Sequence, residues 1–384
     1  MNTFQFDTSK RIVNEVGGLR HCPNLCKELG VKHVIIVSDK GLRQLGMVDE
    51  LAHCLQNAGV SATVFDKTVA DPPDSIVLEA SAAAIESGAD GVIGIGGGSS
   101  MDCAKLVSVL VKQQQSLSQM FGLNQITGTR APLILIPTTA GTGSEVTPIS
   151  IVTTGETTKA GIVSHHLLPD VALLDASLTL DLPAHITAAT GIDAMVHAIE
   201  AYTSKIKKNP YSDMLAKQAL LLLSSNIEKA VTTGKDLPAR QQMMFGACLA
   251  GQAFANAPVG GVHALAYPLG GHFHIPHGLS NALVLPHVLR FNASHAASMY
   301  GELAAQIKPS ASVSNPLSTS EDLAQYFEEL LKICGLPTSL KALQIPKKDL
   351  TVLAQDAMLQ ERLLVNNPKH MHFDDALNIY EQAY

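Results

Sequence analysis

The apolar positions of this 384-residue chain change their rhythm once, near Leu182-Pro183. Ahead of that point, short continuous apolar runs alternate with helical stretches. Val34-Ile35-Ile36-Val37, Ala62-Thr63-Val64-Phe65, Gly91-Val92-Ile93-Gly94-Ile95-Gly96 and Leu133-Ile134-Leu135-Ile136-Pro137 read as strands. Between them, segments 42–58, 75–88 and 99–112 carry helical periodicity, with Gly88 as a C-terminal stop. Strand–helix alternation of this kind predicts a parallel sheet with right-handed crossovers. Segment 147–174 is β-rich, with a turn signal at Thr153-Thr154-Gly155-Glu156.

Beyond Pro183 the β-branched runs nearly vanish. Ala/Leu/Met-rich segments at 186–203, 211–229, 239–257, 279–291, 294–307, 320–334 and 347–357 predict a helical second domain. The expected division is residues 1–182 and 183–384. Segment 309–320, PSASVSNPLSTS, reads as an exposed polar loop.

Composition narrows the class. Hydrophobic residues make up 46% and charged residues 16%, which fits two well-packed globular cores. A net charge of −7 gives no reason to expect nucleic acid or an anionic membrane as partner. No apolar run is long enough to span a bilayer, and MNTFQFDTSKRIVNEV lacks the apolar core of a signal peptide. The six cysteines are scattered without metal or CxxC spacing. They read as reduced thiols of a cytoplasmic protein.

Two loops suggest a nucleotide. Gly94-Ile95-Gly96-Gly97-Gly98-Ser99-Ser100-Met101-Asp102 follows a strand and opens a helix. Its glycines allow the backbone close to a pyrophosphate, whose charge the helix N-terminus favours. Pro137-Thr138-Thr139-Ala140-Gly141-Thr142-Gly143-Ser144-Glu145 also follows a strand and offers hydroxyls to phosphate or ribose. Asp39, just past the first strand, suits ribose hydroxyls and repels a 2′-phosphate, favouring NAD over NADP. It is equally suited to cap the next helix.

The second half suggests a metal. Asp193 and His197 stand four apart in a helical stretch, on one face and about 6 Å apart along the axis. His263, His272, His274 and His277 then fall within fifteen residues of apolar sequence. The helix pair with His263 and His277 makes a set of four, three imidazoles and a carboxylate, suited to a divalent transition metal. His272 and His274 read as residues that line the site or bond to backbone. Glu200, one turn beyond His197, reads either as an orienting partner for a ligand imidazole or as a salt-bridge partner. Phe254 and Phe273 are candidate walls of a substrate pocket.

On these residues the chain resembles the iron-containing (group III) alcohol dehydrogenases over nearly its whole length. Ala172-Leu173-Leu174-Asp175, Pro183, Asp193 and Glu200 are similar to the family's first signature, and Gly260-Gly261-Val262-His263 through His277-Gly278 to its second. The loops at Gly96–Asp102 and Thr138–Glu145 are similar to its cofactor loops. The resemblance implies a dehydroquinate-synthase-like fold, with a Rossmann-like α/β N-terminal domain that binds dinucleotide and an all-α C-terminal domain that binds metal. It implies Asp193, His197, His263 and His277 as ligands, with Fe(II) ahead of Zn(II). It places NAD(H) against Asp39, Gly97, Gly98, Ser99, Thr138, Thr139, Thr147, Lys159 and Leu178. It further implies a small alcohol or aldehyde as substrate and a homodimer or larger homo-oligomer. The expected reaction interconverts a small primary alcohol or diol with its aldehyde; a hydroxyacid–oxoacid transhydrogenase is the alternative on the same fold. Tyr267 stands where many members carry a proton-relaying His, so it is the candidate relay here.

Overall fold

The computed structural model describes residues 3–155, 158–307 and 317–384. The predicted loop at 309–320 lies outside them as far as residue 316. The chain forms two compact units: Asp7–Thr139 with Gly143–Thr179, and Met1–Phe6 with Ala140–Thr142 and Leu180–Tyr384.

The first unit runs β1 (Arg11–Asn14), α1 (Cys22–Glu28), β2 (His33–Val37), α2 (Lys40–Gln44), α3 (Met47–Asn57), β3 (Ser61–Phe65), α4 (Asp74–Ser87), β4 (Gly91–Gly96), α5 (Gly98–Leu110), β5 (Gly122–Leu123), β6 (Leu133–Pro137), β7 (Ile149–Thr154), β8 (Thr158–Val163) and β9 (Val171–Leu174). Six strands form one sheet in the order β1-β9-β6-β4-β2-β3, with every pair parallel. The central strands are apolar throughout because helices cover both faces. One core holds Ile35, Val37, Leu133 and Leu135, and the other holds Val34, Ile36, Ile134 and Ile136. The β-rich stretch is a separate sheet, β5-β8-β7, plus β9 of the main one. The periodic stretch 42–58 is interrupted: Gly46, at φ 84°, separates α2 from α3.

Asp170 ties the first unit's sheet together just before β9. Its carboxylate accepts from Arg130 at 2.5 Å, Lys10 at 2.6 Å and the Leu133 amide at 2.9 Å. Burial alone would raise this carboxyl, but those donors outweigh it and hold it at about 2. A carboxyl depressed in the folded state stabilises above its unfolded pKa and loses that contribution as pH falls through its folded one. Asp170→Asn is therefore expected to cost about 2 kcal/mol at neutral pH. In urea melts, the gap to the parent should close between roughly pH 4 and pH 2.

The second unit is helical: α6 (Ala184–Thr203), α7 (Pro210–Thr232), α8 (Leu237–Asn256), α9 (Gly261–Phe273), α10 (His277–Ala304), α11 (Ser320–Ile333), α12 (Leu350–Met358), α13 (Glu361–Leu364) and α14 (Phe373–Gln382). Segments 279–291 and 294–307, expected as two helices, belong almost entirely to one, α10. The polar residue at the expected break, Asn292, is buried and pairs with Asn367 through two amide hydrogen bonds of 2.9 and 2.8 Å. No described helix is long and apolar enough to cross a membrane, and none of the six cysteines forms a disulfide.

Candidate active site

Sheet register brings the nucleotide-type loops together. Strands β2, β4 and β6 are neighbours, with Val37 opposite Gly94 and Gly96 opposite Pro137. Asp39, Gly97-Gly98-Ser99 and Thr138-Thr139 thus follow the carboxyl ends of three adjacent strands, the edge where open α/β sheets take ligands. Gly96 adopts φ 150°, and a side chain there would strike Ser100 at 2.8 Å. Gly97 caps α5 with open space on its Cα, the nearest Thr139 atoms being 3.9 Å from where a Cβ would stand. Among the described residues, the Thr139 hydroxyl is buried without a hydrogen-bond partner.

Asp39 caps α2, its Oδ1 accepting from the Leu42 amide at 3.0 Å. Of the two roles open to it, the cap is the one visible in the protein alone. Thr147 lies 3.2 Å from the ammonium of Lys105, which is fully buried and also reaches the Ile149 carbonyl at 2.6 Å and Asp102 at 3.3 Å. Lys159, on β8, pairs with Asp71 at 2.8 Å. Leu178 is buried in the core with Ile95 and Ile136.

Three helices of the second unit converge on the other cluster. Asp193 and His197 project one turn apart from α6, which is buried along most of its length. His263 stands in the first turn of α9, and His277 begins α10. Asp193 Oδ1 lies 3.9 Å from His197 Nε2, 3.9 Å from His263 Nε2 and 3.8 Å from His277 Nε2. All four donor atoms lie within 4.8 Å of one another. Tetrahedral coordination with 2.1 Å bonds needs about 3.4 Å between donors, so the contacts to Asp193 would close by about half an ångström and the widest pair by up to about 1.4 Å.

Protonation suits a cation as well. Burial pushes His197 down to about 4, against the pull of Asp193, so its imidazole is neutral at neutral pH. Burial would raise the Asp193 carboxyl, but the surrounding imidazoles and the Asn281 amide outweigh it and leave it lowered, hence anionic. Glu200 Oε2 accepts from His263 Nδ1 at 2.6 Å, while Oε1 accepts from the Val262 amide at 2.7 Å. That bond fixes the tautomer and leaves the Nε2 lone pair facing the cluster. Spacing left two roles open for Glu200; the side chain it meets is the His263 imidazole. Phe254 stacks on His197 at 4.3 Å between ring centres, and Tyr267 approaches His277 at 5.8 Å. A neutral His197, a His263 whose ring is oriented by Glu200 and a buried carboxylate fit a divalent cation.

His272 and His274 stand outside this set. His272 pairs with Asp356, and His274 ends α9 at φ 54° with its amide on the Gly270 carbonyl. Phe273 packs beside His272. Asn281, which spacing did not single out, is fully buried one turn after His277 and donates to Asp193 Oδ1 at 2.6 Å. Its position four residues past a candidate ligand on a predicted helix was the available signal.

Comparison with known proteins gives a consistent picture. Residues 9–176 match the family model for iron-containing alcohol dehydrogenase, and residues 187–384 match the C-terminal model of the Fe-containing alcohol dehydrogenase family. Long-chain-alcohol dehydrogenase 1 of Geobacillus thermodenitrificans is 42% identical over 364 residues, covering 93% of this chain and 91% of that protein. The crystal structure of a 1,3-propanediol oxidoreductase superposes with a TM-score of 0.94 at 34% identity, over 100% of both chains. Sulfoacetaldehyde reductase from Bifidobacterium kashiwanohense, solved in complex with NAD+, superposes with a TM-score of 0.90 at 27% identity, over 100% of this chain and 99% of that one.

Proposed function

The chain belongs to the iron-containing alcohol dehydrogenase family, and from that premise we propose that Asp193, His197, His263 and His277 hold its divalent metal while the strand-end loops hold NAD(H). The observation that supports this best is the His263–Glu200 pair, since a buried carboxylate on the far nitrogen of an imidazole is how proteins prepare histidine for a metal. The reaction is interconversion of an alcohol and its aldehyde. A bound cation supplies Lewis-acid polarisation of the substrate oxygen, and nicotinamide supplies or takes the hydride.

The chain's own residues do the rest. Gly97, Gly98 and Ser99 present the α5 N-terminus to the pyrophosphate, with Thr138, Thr139 and Thr147 adding hydroxyls; Asp39 meets ribose, and Lys159 and Leu178 complete the cofactor contacts. Phe254 walls the metal cluster and keeps water from it. Tyr267, beside His277, passes the alcohol proton outward through its hydroxyl. Residues 1–182 serve the cofactor and 183–384 the metal. The substrate is a small primary alcohol or diol, and the enzyme works in the cytoplasm as a homodimer or larger homo-oligomer.

Anaerobic reconstitution with Fe(II) or Zn(II) tests this reading, followed by a panel of short aldehydes and diols with NADH and NADPH. NADH-dependent aldehyde reduction that requires metal is expected, with Fe(II) the better ion. Turnover only with a 2-hydroxy acid donor, and none with external NADH, would replace the reading with transhydrogenation.

A further inference from the structure

Asp193 is the sole anion of the ligand set, and its carboxylate is buried. Among the described residues, the only hydrogen bond to that carboxylate comes from Asn281 Nδ2, at 2.6 Å. The same nitrogen lies 3.2 Å from His277 Nε2 and 3.3 Å from His263 Nε2. One amide therefore sits within hydrogen-bond reach of three of the four ligating atoms, on a side chain with no exposure. Its oxygen is buried and meets no hydrogen-bond partner among the described residues.

The three contacts are unequal. The bond to Asp193 is short and charge-assisted, the strong kind. The two to imidazole nitrogens are long and weak. A cation takes up the imidazole lone pairs, whereas Asp193 keeps an oxygen lone pair for an amide donor when one of its lone pairs goes to metal. The strong contact is thus compatible with a loaded site, and the weak ones are not.

We propose that Asn281 is a positioning residue of the metal centre: its amide N–H aims the Asp193 carboxylate at the three imidazoles, as Glu200 aims His263. Loss of an orienting partner of a metal ligand typically costs 10–100-fold in affinity. The inference rests on the four-ligand reading, so the experiment carries a control for it.

The measurement is the Kd for Zn(II), by competition with a chromophoric chelator, in the parent chain, Asn281→Leu, Asn281→Ala and His263→Ala. Leu keeps the volume and removes the donor; Ala removes both and guards against misfolding of the first variant. The visible spectrum of each Co(II)-loaded protein reads ligand geometry independently of activity. Both Asn281 variants should bind Zn(II) 10–100-fold more weakly and show shifted Co(II) bands, with thermal melts of the metal-free proteins confirming that they are folded. Affinity within twofold of the parent overturns the proposal. So does tighter binding, which would make Asn281 a competitor for the ion. If His263→Ala also keeps its metal, the four-ligand reading itself fails.

Discussion

His263→Ala is expected to strip the protein of its metal and to lower kcat/KM for aldehyde reduction by about 10³-fold or more. Lewis-acid stabilisation of charge at the substrate oxygen is worth several kcal/mol, and each 1.36 kcal/mol is a factor of ten. The substitution also leaves Glu200 Oε2, which now takes the His263 Nδ1 proton at 2.6 Å, buried against a void. An unmatched buried acceptor costs roughly 1–3 kcal/mol, and more when charged, so the melting temperature should fall too. Elemental analysis of the purified variant, with steady-state rates at saturating NADH, checks both halves. A variant that retains one metal per chain and near-parent turnover would falsify the site.

The second large effect comes from a methyl group. Gly278 follows the proposed ligand His277, and a Cβ built there meets the Ala189 carbonyl oxygen of α6 at 2.4 Å and its carbon at 2.8 Å. Neither atom is the tip of a mobile side chain, so α10 and α6 must separate by the better part of an ångström. Alanine gains about 1 kcal/mol in helix propensity over glycine. Overpacking of this kind costs about 1–3 kcal/mol, so the clash wins or breaks even on stability. The site suffers more, because metal–ligand distances tolerate about 0.2 Å. Asp193 and His197 ride on α6 while His277 rides on α10. Gly278→Ala is thus expected to weaken Zn(II) binding by 100-fold or more while lowering the melting temperature only modestly. Unchanged metal affinity would show that the helices have slack that the contact distances deny.

Legibility in the sequence followed burial. Strands β2, β4 and β6 stand out as apolar runs because both their faces are covered. Strand β1 did not, since Arg11–Asn14 is four residues at the sheet edge with exposed ends. Helix α9 was hidden by Pro268, Gly270 and Gly271, which read as turn residues but lie inside it. The single helix α10 was divided at Asn292 because a polar residue looks like a break until its partner, 75 positions away, is known. The same limit applies to Glu200: helical spacing put it near His197, but only the fold could place it on His263. The four clustered residues were legible as candidate ligands because one Asp and three His fell in two short segments.

Glu200 serves two masters, one carboxylate oxygen on the His263 ring and the other on the Val262 amide, an N–H in the first turn of α9. Helix ends are ordinarily the first parts of a helix to open. Here opening that turn would also disturb the orientation of the proposed ligand His263. Ion binding at the proposed site and closure of that turn are therefore expected to be coupled at equilibrium: opening the turn weakens binding, and by reciprocity a bound ion disfavours the open turn. Metal affinity is therefore expected to respond to changes in helix stability around Val262, and not to the four proposed ligands alone.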